Sequence, residues 1–206
     1  MLCSSWLATM QWWCFAATFY FATLHYADKR QARAKQRPLV DVGFELTPRI
    51  TQLQYVCDAF GMGGALWMFA VLFVGDAAHT EYVRALFDYN ALGNVLSSTL
   101  HVVTILPTAE FADSGLPLMG GSADKLMSNH TFNFSIGLRA VTLCYGWPGW
   151  ALPLGVAVYS SCLVCTRCHY TVDIVLAWWV LLFVLALDPG LTRDWLSELA
   201  AALYGS

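Results

Sequence analysis

The run from Trp6 to Tyr26 contains no charged side chain. A stretch of that kind must be buried in protein or face a solvent other than water, and it does not stand alone. Similar runs read from about Tyr55 to Val74, marked by Gly61, Gly63 and Gly64, and from about Ala85 to Leu106, stopped by Pro107. A fourth covers about His130 to Tyr145. The tight Gly146–Trp150 turn leads to a fifth, and a sixth covers about Tyr170 to Leu187. Crossing a bilayer takes about 20 apolar residues, so the shorter runs would need flanking polar residues to complete a span. Charged residues make up only 12% of the 206-residue chain, against about 25% in an ordinary soluble domain. The expectation is an all-α integral membrane bundle of about six transmembrane helices, one domain over residues 1–206.

The polar segments between the runs are Asp28–Gln52, Asp76–Arg84 and Thr108–Asn129. With six spans, the first and third of these share one side with the turn around Arg167. The tail from Leu191 to Tyr204 sets Leu191, Trp195, Leu199 and Leu203 on one face, the pattern of an interfacial helix. The N-terminal run has no basic stretch before it and does not read as a cleaved signal peptide. Net charge is −3 and the basic residues gather in one loop, which argues against nucleic-acid binding.

Two stretches carry chemistry. The first, Cys162-Leu-Val-Cys165-Thr-Arg-Cys168-His169, contains a C-x-x-C-H haem-attachment pattern. It lacks the fourth cysteine of an iron–sulfur run, since position 172 is Val. It also supplies no spaced fourth ligand for zinc. Metal, haem or any other cofactor is therefore not expected, and the seven cysteines read as buried thiols.

The second feature is His169 with Asp173. At i and i+4 they share a helix face, so the carboxylate can orient one ring nitrogen and leave the other free to attack, as in hydrolase triads. Asp124-Lys-Leu-Met-Ser128-Asn129-His130-Thr131 brings a second histidine to the mouth of the fourth run. There Ser128 and Thr131 can cap the helix, and a helix N-terminus suits a phosphate. Two histidines and a carboxylate can transfer a phosphoryl-type group through a covalent intermediate.

These motifs resemble those of the sphingomyelin synthase-related family, in the C-type branch of the phosphatidic acid phosphatase type 2 superfamily. "DKLMSNHT" is similar to its D-x-x-x-S-G-H-T signature and "HYTVDIV" to its H-Y-[ST]-x-D-V-V signature. "RPLVD", "CDAFGMGGALW" and "TILP" are weaker echoes, so the likeness covers about Pro38 to Trp179 in order. It departs at Ser122-Ala123, at Asn129 and near Ser97, where an Arg is expected in the third span.

The resemblance implies transfer of a phosphocholine or phosphoethanolamine headgroup from a phospholipid donor to ceramide or diacylglycerol, within the bilayer. His169, His130 and Asp173 would be catalytic, and Asp124, Ser128, Arg167 and Tyr170 would contact substrate. A choline could be caged by Phe111, Phe132 and Tyr170. A lipid phosphatase or phospholipase C-like hydrolase is the enzyme alternative. Its expected K-x6-R-P is missed by one residue between Lys29 and Arg37, its Arg before the second histidine is Leu163, and its Pro-Ser-Gly-His is Met127-Ser-Asn-His. A non-enzymatic haem or lipid-binding protein is the second alternative. The family further implies a multi-pass protein of the Golgi or endoplasmic reticulum with a lumenal site. Eight of the 11 Lys and Arg lie on the histidine side, which under the positive-inside rule argues for the opposite orientation.

Overall fold

The computed structural model describes residues 6–34, 40–74, 77–104 and 127–186. Within them the chain forms seven helices: α1 (Trp6–Ala34), α2 (Val42–Leu46), α3 (Leu53–Val74), α4 (Ala77–Val103), α5 (Asn129–Tyr145), α6 (Ala151–Thr166) and α7 (Thr171–Ala186). No strand occurs among the described residues. A helix covers most of the described residues of each of the six apolar runs. Asp124, Phe111, most of the segment 108–129 and the 191–204 tail lie outside the described residues.

The membrane bundle is not what these helices make. Among the described residues no helix is long and apolar enough to cross a bilayer. α5, α6 and α7 have 17, 16 and 16 residues. At 1.5 Å per residue each spans roughly 25 Å, short of the ~30 Å hydrocarbon core. α4 carries Glu81, Arg84, Asp88, Asn90 and Asn94 within four turns. The transmembrane expectation fails here, and with it the multi-pass placement in Golgi or endoplasmic reticulum and the question of a lumenal side.

α5 is the central helix, packed against α3, α4, α6 and α7, while α1 lies along α4. The main core gathers Val83, Leu86 and Phe87 of α4 with Phe132 and Ile136 of α5 and Leu181 of α7. A second cluster, around Cys57, Tyr159, Leu163 and Ile174, joins α3, α6 and α7. Two close approaches fix how α5 meets its neighbours. Gly137 passes Gly64 of α3 so closely that a Cβ on Gly137 would stand 3.4 Å from the Gly64 Cα. On the other side the Phe132 ring lies where a Cβ of Gly93 would be.

Gly93→Ala is accordingly expected to destabilise the fold by about 1–3 kcal/mol, because Phe132 is fully buried and has no room to retreat. Urea denaturation checks it. The helix-propensity gain of Ala over Gly works in the opposite direction and is about 1 kcal/mol. A stabilised variant would mean that the ring moves freely.

α4 begins at Ala77, so most of the expected 76–84 loop is helix. The Arg84 guanidinium is buried and matched on its own helix by Glu81 at 2.7 Å and Asp88 at 3.6 Å. Pairing at i−3 and i+4 lets a charged segment remain helical against a packed neighbour. α2 was not visible as a helix. Asp41 caps it by accepting from the Phe44 N–H at 3.1 Å, and contacts outside it supply the rest of its support.

Candidate active site

Ser128 precedes α5 and caps it, its hydroxyl accepting from the Thr131 N–H at 3.2 Å. Its own N–H donates to the Asp173 carbonyl at 3.0 Å. That single bond ties the start of α5 to the first turn of α7. His130, the second residue of α5, is thereby set against His169, which ends the turn between α6 and α7. Nδ1 of His130 stands 3.0 Å from Nε2 of His169, and the two share a hydrogen bond. Their rings are 5.2 Å apart at 62°.

Each outer nitrogen faces a carboxylate. Nε2 of His130 is 3.2 Å from Oδ1 of Asp58, and Nδ1 of His169 is 4.0 Å from Oδ2 of Asp173. The second separation is an ion-pair distance, beyond hydrogen bonding; catalytic contacts are often this long before substrate binds. The result is one line of four groups, Asp58–His130–His169–Asp173. Asp58, His169 and Asp173 are buried and His130 is partly exposed.

The line is assembled by three elements. Asp58 lies in the second turn of α3, six residues before the Gly64 crossing, and His130 lies seven residues before Gly137 on α5. The two helices run parallel through that crossing, so the carboxylate and the imidazole arrive at the same height. Asp173 accepts from the Tyr170 N–H at 2.9 Å, capping α7 from within its first turn, where a negative charge is favoured.

The remaining expected contacts are otherwise engaged. Arg167 is buried and in the left-handed region, φ 63. It donates to the carbonyls of Phe44 (2.6 Å) and Thr47 (2.8 Å) and to the Thr47 hydroxyl (2.9 Å), and it stacks on the Phe44 ring at 4.6 Å. It therefore ties α2 to the turn that bears His169. Tyr170 is buried and stacked on Phe44. Phe132 belongs to the α4–α5 core, so these two rings do not form an open cage. Ser128 is fully buried as a cap.

Two carboxylates have roles that motif reading did not supply. Asp58 stands alone in an otherwise apolar run, a position that demands a partner. Asp41 caps α2 and also accepts from the Thr171 N–H (2.7 Å) and hydroxyl (2.6 Å), so it holds the start of α7 as well. Among the described residues Cys162, Cys165 and Cys168 form no disulfide. Among the described residues no three His, Cys, Asp or Glu side chains are grouped to hold a metal ion. Comparison with protein-family models, with curated proteins and with solved structures returns no match.

Proposed function

We propose that the Asp58–His130–His169–Asp173 line transfers a phosphoalcohol headgroup from a glycerophospholipid to a lipid alcohol, ceramide or diacylglycerol. The observation that carries this reading is the 3.0 Å contact between Nδ1 of His130 and Nε2 of His169, with a carboxylate behind each ring. One distribution of protons suits the chemistry. His130 is an imidazolium held by Asp58, and His169 is neutral with its Nδ1–H toward Asp173 and its lone pair on Nε2.

From that state the Nε2 lone pair of His169 forms an N–P bond with the donor phosphodiester. The P–O bond to diacylglycerol breaks, and His130 gives its proton to the departing alkoxide. In the second half, neutral His130 takes the proton of the acceptor hydroxyl. The acceptor oxygen bonds to phosphorus, the N–P bond breaks, and His169 regains its lone pair. The proton that His130 loses in the first half it regains in the second, so the cycle closes, and Asp58 and Asp173 stabilise whichever ring is cationic. A positioned acid–base group of this kind contributes about 10²–10⁴-fold.

The motif resemblance supports the same reading, and the three departures from the phosphatase pattern favour transfer over hydrolysis. The test offers phosphatidylcholine or phosphatidylethanolamine in detergent with fluorescent ceramide or diacylglycerol, and follows products by mass spectrometry. A new headgroup-bearing lipid with equimolar diacylglycerol release is expected. Free phosphoalcohol as the main product would establish a hydrolase instead, and no turnover of any donor would remove the reading.

A further inference from the structure

A cavity of about 650 Å³ lies between α3, α5 and α6, within the roughly 300–1,000 Å³ range of small-molecule sites. Among the described residues no charged side chain lines it. Deep in its wall, the Tyr159 hydroxyl donates to the Cys57 carbonyl at 3.0 Å and so is already engaged. Burial pushes the Cys57 thiol up to about 12, with Cys162 and Asp58 adding to the effect, and burial likewise raises the Tyr159 phenol. Both stay neutral at any physiological pH. Trp147 and Trp150, half-exposed in the turn between α5 and α6, supply the indoles at one end. A polar ligand would find little here to replace its water.

One end of the cavity lies within a helical turn of the histidine pair in sequence. His130, Phe134 and Leu138 fall at i, i+4 and i+8, one face of α5, and Phe134 and Leu138 line the cavity. Cys57 lines it too and is the neighbour of Asp58. Along α6 the lining runs from Ala151 to Cys162, roughly 16 Å at 1.5 Å per residue. The space is thus elongated and apolar, with an acid–base pair at one end and tryptophans at the other.

We propose that this cavity takes one linear acyl or alkyl chain of the lipid substrate, its polar end at His130 and its terminal methyl toward Trp147 and Trp150. The assignment deepens the headgroup-transfer reading of the same site and rests on it for the orientation. Its experiment reads binding, so the two can fail separately.

The probes are two lysophosphatidylcholines below their micellar concentration, one brominated near the carboxyl end of the chain and one near the terminal methyl. Bromine quenches indole emission at contact. Terminal bromine is expected to quench several-fold more than carboxyl-end bromine, and the difference should vanish in Trp147→Phe/Trp150→Phe. Leu154→Glu and Val158→Glu each set a charge on a cavity wall at a half-exposed position, where folding tolerates it. Each should weaken binding by tenfold or more, with unchanged far-ultraviolet circular dichroism. Equal quenching from both bromine positions, no quenching by either, or unchanged affinity in both glutamate variants would overturn the proposal. Should one glutamate variant misfold, the quenching pattern of the wild type still decides. Quenching as expected without any turnover would instead sink headgroup transfer and leave the chain site standing.

Discussion

His169→Ala should reduce headgroup transfer below detection with every donor, because the proposed covalent intermediate forms on its Nε2. The informative contrast is between the two carboxylates. Asp173→Asn replaces an acceptor at Nδ1 of His169 by an amide that can donate, which favours the wrong tautomer and takes the lone pair off Nε2. Turnover should fall by about 10⁴-fold on the triad precedent, with any donor. Asp58→Asn acts on His130 instead, the proton donor to the leaving group. It should cost about 10²–10⁴-fold with a natural lipid and far less with p-nitrophenyl phosphocholine, whose leaving group needs no proton. The same split is expected of His130→Ala. Comparing both donors across the four variants, with a folding control, checks the assignment. Equal losses on both donors for Asp58→Asn would show that Asp58 does not serve the acid, and the left half of the line would have to be reassigned.

How far the sequence disclosed this site follows from what its residues had to do. His130, His169 and Asp173 were legible because their spacing along the chain already states a geometry: a cap before one histidine, and i to i+4 for the other pair. Asp58 was not legible as a partner, since its 72-residue separation from His130 is closed only by the Gly64–Gly137 crossing. Arg167 was misleading for a related reason. A cation beside the nucleophile suits a phosphate, but the guanidinium turns toward Phe44 and Thr47, and no local pattern announces α2 as the element that receives it.

The helices themselves were legible where apolar runs are unbroken, and the start of α4 was not, because Arg84 is accommodated by pairing rather than by exposure. Membrane spans were inferred from an apolar excess that composition cannot assign to lipid or protein. In the structure α5 buries Asn129, Thr131, Ser135, Arg139 and Thr142, whereas Trp179 and Phe183 of α7 are more than half exposed. Polar groups inside and apolar ones outside are invisible to a hydropathy count.

Arg167 supplies the second large effect, on stability and through it on the placement of His169. Arg167→Ala removes three side-chain hydrogen bonds to α2 and its following turn and leaves the carbonyls of Phe44 and Thr47 without that donor. Bonds to a charged group contribute about 1.5–3 kcal/mol each at most, and water reaches part of the exposed turn, so a loss of about 2–4 kcal/mol is expected. The backbone supplies a further sign to check. Residue 167 sits at φ 63, a conformation costing a non-glycine residue about 1–2 kcal/mol. Arg167→Gly loses the same bonds but relieves that strain, so it should be more stable than Arg167→Ala by about 1 kcal/mol. Turnover should fall in both variants and recover partly in Arg167→Lys, which restores one donor at a time. A substrate-binding role makes a different forecast: raised KM for the phospholipid, unchanged denaturation midpoints, and no ordering between Gly and Ala. Urea midpoints measured beside steady-state kinetics separate the two. Because the guanidinium is engaged by Phe44 and Thr47 while its backbone lies two residues before His169, we expect the clamp.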